Sequence, residues 1–447
     1  MKKLLSLMMT ILLAAGLTAC TGGGTSSGGD TASDPVTSDL GTPDPGGTDG
    51  GGKLTVWCWD PAFNIYAMEE AGKVYQADHP DFQVEIIETP WEDLQTKLIT
   101  IATSNDFKSL PDIFLCQNNA FQKNFANYPD LFTDLTDSDI AFKDFPESVL
   151  AYSTVDEHHY GVPFDNGTAI LALRTDVLEE AGYTIEDFTD IDWDTFIQQG
   201  KTVLEKTGKP MISSTAGESD LVVMMLQSTG SSLFADDGSL HILDNPELKD
   251  AMSTYLEMVE AGILVEINNW DEYIGTFIDS KVAGTINGCW ILASVQTAED
   301  QSGLWDITNV PKFNSPNATN YTANGGSSWA ISSNCADVPL AQDFLGSTFA
   351  GSVPFYETIL SSSGAIANYI PAGESDVYKE PQPYFNDSPI YATVVEYGAS
   401  VPSNNTGVYY YEARDAIGVA ITQIIQGTDI DTAIQEAHDT VTFDMGG

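Results

Sequence analysis

The residue types most used for bond-making are present in this chain but lack the spacing such chemistry needs. His79, His158, His159, His241 and His438 form no H-E-x-x-H pair, and the adjacent His158-His159 reads as a solvated turn before Tyr160 rather than as metal ligands. The serines near Gly217 and Gly364 sit in no G-x-S-x-G elbow, and no glycine-rich phosphate loop occurs. Cys58, Cys116, Cys289 and Cys335 have neither metal-type spacing nor the density of a disulfide scaffold. They read as buried free thiols, although a compartment outside the cytoplasm would permit a disulfide. With 65 acidic residues, counting does not dispose of a carboxylate pair, yet no local arrangement marks an acid and a nucleophile. What the chain has in quantity is aromatic and hydrogen-bonding surface, including 8 Trp and 18 Tyr.

Charge excludes two partner classes. Against the 65 acidic residues stand 17 Lys+Arg, a formal net charge of −48, which repels nucleic-acid phosphates and anionic lipid alike. Charged residues are nevertheless only 18% of the chain and hydrophobic ones 42%, enough for a sizeable core rather than a disordered acidic polymer. The length of 447 residues suggests two or three structural units.

The binding groups need a scaffold, and periodicity places its start near Lys53. Before it, Lys2 and Lys3 precede the apolar run Leu4 to Leu17, too short to span a bilayer, and then Leu17-Thr18-Ala19-Cys20. This resembles a bacterial lipoprotein signal, which implies cleavage after residue 19 and lipidation of Cys20. Residues 20–52, rich in Gly, Ser, Thr, Asp and Pro, read as a flexible tether. Strand and helix then alternate: Leu54 to Trp59 is β-rich, Asn64 to Asp78 helical, Phe82 to Ile87 strand-like. Thr89 reads as an N-cap before Pro90, with Trp91, Leu94, Leu98 and Ile101 on a buried helical stripe, and Ile113 to Leu115 returns to strand. Such alternation implies a parallel sheet, whose ligands bind beyond the carboxyl ends of the strands. Those ends carry Trp59-Asp60, Glu88 and Gln117-Asn118-Asn119. Near the carboxyl terminus, Ile417, Ile421 and Ile424, then Ile430, Ala433, Ile434, Ala437 and Val441, trace two amphipathic helices separated by Gly427.

Several segments, in order, resemble a family. Thr89-Pro90-Trp91-Glu92, Leu110-Pro111-Asp112-Ile113, Tyr160-Gly161-Val162-Pro163-Phe164, Leu173-Arg174-Thr175-Asp176 and Asp192-Trp193-Asp194-Thr195-Phe196 all contribute. So do Gly325-Gly326-Ser327-Ser328-Trp329 and, most of all, the run from Lys281 to Trp290 that contains Thr285-Ile286-Asn287-Gly288-Cys289-Trp290. From about Leu54 to Val441 the chain resembles the extracellular solute-binding proteins of sugar-importing ABC transporters, the group that includes maltose-binding protein. Asp192, where Thr is usual, and Gly284, where Met is usual, depart from the pattern. The resemblance implies an α/β fold of two discontinuous lobes joined by a multi-strand hinge, residues 53–163 and 311–365 in the first lobe, 164–310 and 366–447 in the second. It implies capture of a carbohydrate, best a neutral oligosaccharide, by a monomer tethered outside the cytoplasmic membrane or in the periplasm, and delivery to permease subunits without cofactor, metal or catalysis.

A neutral sugar has apolar C–H faces and a rim of hydroxyls, so it needs flat aromatic surfaces and directional polar groups. Trp290 matches the family's aromatic platform. Trp59, Asp60, Asn118, Asn119, Asp165, Asn166 and Gly326 are candidates at strand ends and crossings, and Tyr410 with Arg414 resembles the family's ligand-facing segment. Trp57, Trp91 and Trp329 read as packing. The competing readings are a secreted glycoside hydrolase or lyase, and a glycan adhesin.

Overall fold

The computed structural model describes residues 52–446 apart from Asp236, so the expected signal, Cys20 and almost all of the tether lie outside the described residues. Alternation along the strands decides the layers. In Lys53–Cys58, Leu54, Val56 and Cys58 enter one apolar core and Trp57 another; Ile113 and Leu115 join the first, Phe114 and Cys116 the second. Successive strand side chains point to opposite faces, so this sheet is covered on both. Its strand order is Gln83–Glu88, Lys53–Cys58, Ile113–Gln117, Ser327–Ile331, Val162–Asp165. Trp329, fully buried, packs in it as the sequence indicates.

The sheet is mixed rather than parallel. The first three strands run parallel, but Ser327–Ile331 is antiparallel to both its neighbours. The physical reason is its origin: it re-enters from the other lobe instead of following a helical crossover. In the second lobe Ala169–Arg174 lies between Gly284–Gly288 and Trp305–Thr308, antiparallel to each. All its residues are buried because Ala169, Leu171 and Leu173 fill one core while Ile170 and Ala172 fill another. Ile212–Thr215 and Leu264–Ile267 form a separate parallel pair. The helices Tyr410–Ile425 and Ile430–Asp444 close this lobe with the apolar stripes the sequence marks.

The fold is thus α/β, two discontinuous lobes joined by several passages of chain. Three of these lie side by side: Asn166 N–H donates to Ile366 O (3.0 Å), Ala169 N–H to Thr322 O (2.8 Å), and Asn324 N–H to Gly167 O (2.7 Å).

Local chemistry explains several segments. Asp112 accepts from the Thr55 amide and hydroxyl, both at 2.8 Å, and from the Ala336 amide, tying three elements together. Arg174 grips Asp176 with two parallel bonds of 2.9 and 2.8 Å. Asp192 caps its helix by accepting from Thr195 N–H, so the substitution for Thr keeps the capping function. Other readings need correction. The helix begins at Tyr66 after a π-helical turn, Pro61–Ile65, because Asn64 Oδ1 accepts from the Trp59 and Asp60 amides and holds the turn. Thr89 does not cap its helix: its hydroxyl donates back to Ile87 O, and Pro90 is the flanking residue. His158-His159 is a hairpin strand, the turn being Asp156 and Glu157, both at positive φ. Cys58, Cys116 and Cys289 are buried free thiols, whereas Cys335 is only half-buried. Among the described residues no helix is long and apolar enough to cross a membrane, and no cluster of three metal-ligating side chains occurs.

Candidate functional site

Between the lobes lie two joined cavities of about 620 and 780 Å³ that share Gln117, Asp220, Trp270 and Trp290. The first-lobe wall comes from strand ends. Trp59 and Asp60 follow Lys53–Cys58, while Gln117 and Asn119 stand where Ile113–Gln117 passes into the helix Asn118–Asn127. Trp59 meets the edge of Trp91 at 5.2 Å between ring centroids. Asp165 closes the floor; its carboxylate accepts from the Ser327 hydroxyl, and burial pushes its pKa up to about 6.

The second-lobe wall is built on Gly284–Gly288. Trp290 Nε1–H donates to Asn324 O at 2.9 Å, which orients the indole. This closeness needs glycine at 288, where a Cβ would lie 2.3 Å from Trp290 Nε1 and 2.4 Å from Asn324 O. Asn287 is spent on the same corner: its amide nitrogen donates to the Tyr273 hydroxyl and its oxygen accepts from Gly288 N–H and Asn324 Nδ2. Trp270 lies against Trp290 at 5.8 Å and remains 47% exposed. Arg414 pairs with Asp220 and lies near the Tyr410 and Tyr411 rings. Gly326 turns the chain beneath with φ +86°, a left-handed conformation that favours glycine, where a Cβ would also meet Asn118 Nδ2 at 2.8 Å.

Trp59, Asp60, Asn119, Asp165, Trp290, Gly326 and Arg414 therefore line one cavity. Three candidates do not. Asn118 and Asn166 line another cavity of about 770 Å³, which shares only Gly325 with the first, together with Tyr152, Thr168 and Tyr369. Neither side chain is idle there: Asn118 accepts from the Ser328 hydroxyl, and Asn166 from the Thr168 amide and hydroxyl. Tyr410, 2% exposed, belongs to the core, because it starts the stripe that continues through Ala413 and Ile417. Its neighbour Tyr411, about 100° further round the helix, reaches the first lobe instead, where its hydroxyl donates to Gln117 Oε1 at 2.9 Å. Beside it Lys123 pairs with Glu412, a second bond across the cleft.

Trp91 packs against the core of Leu94 and Leu98, as the sequence indicates; half-buried at the first position of its helix, it also lines the larger cavity. Trp270, Asp220 and Asn324 went unread in the sequence. For Trp270 a signal existed: Asn269 caps its helix, so a tryptophan at the first helical position stands before the buried stripe of Tyr273 and Phe277.

The arrangement offers aromatic faces from both lobes, amide and hydroxyl groups between them, and an acidic lining. Asp60, Asp165, Glu218 and Asp220 oppose the single guanidinium of Arg414, so an anionic ligand would meet repulsion.

A family model described as bacterial extracellular solute-binding protein matches residues 70–375. The lactose-binding protein of Rhizobium radiobacter is 34% identical over 388 residues, 87% of this chain and 92% of its own. The arabinooligosaccharide-binding protein of Halalkalibacterium halodurans is 22% identical over 290 residues, 63% of this chain and 64% of its own. Among solved structures, the sugar-binding protein MalE of Xanthomonas citri agrees with a TM-score of 0.72 at 18% identity, over 88% of this chain and 97% of that one.

Proposed function

This chain belongs to the bacterial extracellular solute-binding proteins, and from that premise we propose that it captures a neutral oligosaccharide between its lobes and delivers it to an ABC importer. The observation that carries the reading is the pair of aromatic walls facing one cleft, Trp59 and Trp91 from one lobe, Trp270 and Trp290 from the other. A pyranose offers each wall an apolar face while its equatorial hydroxyls meet Asp165, Asn119 and Gln117. The names of the lactose-binding and arabinooligosaccharide-binding relatives support the same class of ligand.

The cycle is binding without bond cleavage. Closure about the hinge desolvates sugar and cleft together, and the loaded, closed shape is the one the permease receives, a motion for which periplasmic binding proteins are the standard example. An affinity near micromolar, about −8 kcal/mol, suits capture followed by release. Residues 53–163 and 311–365 make the lobe that carries Trp59, and 164–310 and 366–447 the lobe that carries Trp290. A lipid on Cys20 and the 20–52 tether would keep the monomer beside its permease. Incubation with neutral oligosaccharides is the test: the melting temperature rises and the sugar is recovered intact. Release of shorter products would replace this reading with a glycan-active enzyme, and neither response would leave an adhesin.

A further inference from the structure

The two cavities of the cleft differ in what they touch. The smaller spans both lobes, from Trp59 and Asp165 to Trp290 and Arg414. The larger extends past Trp290 into the second lobe, along Ser213, Ser214, Thr215 and Asn268, and meets the first lobe at Trp91 and Gln117. Each, at about 620 and 780 Å³, falls within the ~300–1,000 Å³ range of a complete small-molecule site. Filling one leaves the other empty. At their junction stands Trp270, an indole 47% exposed in the wall of a concave site, where a large apolar side chain left open to water calls for a partner. Its ring packs on Trp290 at 5.8 Å and on Tyr273 at 5.2 Å, so it is held in place without being covered. Gln117 lines both cavities; its oxygen is taken by Tyr411, and among the described residues its amide nitrogen has no protein partner.

We propose that the larger cavity is a further subsite with Trp270 as its stacking surface, so that the ligand is a chain of at least three sugar units threaded past Trp290 rather than a disaccharide. The inference rests on the reading of the protein as an oligosaccharide binder and adds to it the length of the chain. Two units fill the smaller cavity, one of them on the Trp290 platform. The next unit lays its apolar face on Trp270 and turns its hydroxyls toward Gln117 Nε2, Thr215 and the Asn268 rim. The contacts along the larger cavity belong to the longer ligand alone, so Trp270, which lines both cavities, matters more for the longer chain, a length dependence that a merely structural role would not produce.

The test is titration calorimetry of the full chain with two ladders of neutral sugars: lactose and galactosyl-lactose, then arabinobiose and arabinotriose. In at least one ladder the trisaccharide is expected to bind about tenfold more tightly than the disaccharide. Trp270→Ala should remove that gain, weakening the trisaccharide about tenfold more than the disaccharide, with Trp270→Phe in between. Equal affinity for two and three units in both ladders would overturn the proposal, as would a Trp270→Ala loss that is the same for both lengths. Failure of every sugar to bind would overturn the oligosaccharide reading itself, and the inference with it, and is distinguishable because then no ladder gives heat at all.

Discussion

The two walls of the cleft reach the same chemistry by different routes. On the second lobe the platform is anchored at every edge: Trp290 by its bond to Asn324 O and by the absence of a Cβ on Gly288, Arg414 by Asp220. On the first lobe Asp60 is exposed, and Trp59 is half-buried with Trp91 as its edge-on neighbour. The first wall is held through its backbone, by Asn64, and by ring packing, the second through bonds to the site side chains themselves; in a hinged protein one lobe receives the sugar and the other completes the site on closure.

Damage to the wall whose side chains are themselves bonded should cost most. Trp290→Ala is expected to weaken sugar binding about hundredfold, near 3 kcal/mol, with little change in melting temperature because the indole is only half-buried; Trp59→Ala, on the opposite wall, should cost clearly less in the same titration. Gly288→Ala puts a methyl group where Trp290 and Asn324 already lie, so destabilisation of about 1–3 kcal/mol should accompany loss of binding, read as a fall in melting temperature.

Asp165 sharpens the comparison through pH. Its folded pKa, about 6, lies above the ordinary 3.8, so the folded state holds the proton more tightly and this group favours folding as pH falls through 6 toward 3.8. At pH 7 the buried carboxylate opposes folding by roughly 3 kcal/mol. Asp165→Asn should therefore melt higher than the parent at pH 7 and lose that advantage by pH 4. The smallest effect is expected at the bonds that join the walls. Lys123→Ala removes a partly exposed pair with Glu412, about 0.5–1 kcal/mol, and should appear as a few-fold faster sugar release with association almost unchanged.

Legibility in the sequence followed locality. The run Asn287-Gly288-Cys289-Trp290 was legible only through its resemblance to a family, since its contacts reach Tyr273 and Asn324, far along the chain. The carboxyl-terminal helices were readable because their stripes are periodic. The mixed sheet was not, since the direction of Ser327–Ile331 is set by its return from the other lobe, which no periodicity records. Tyr410 and Tyr411 differ by one position, and only the packed helix decides which is core and which crosses the cleft. Asn118 and Asn166 stand at the expected strand end and crossing, yet their side chains are engaged by Ser328 and Thr168 and line a different cavity. Trp91 obeys its stripe and still reaches the cleft, because helix ends overhang the sheet they cover.

The most direct measurement is a crystal structure with a bound neutral oligosaccharide. A sugar ring lying flat on the Trp290 indole, with Trp59 approaching from the opposite lobe and the cleft closed, is the expected result. A glycan bound elsewhere, with the Trp290 indole touching no sugar and the lobes unmoved, would contradict it.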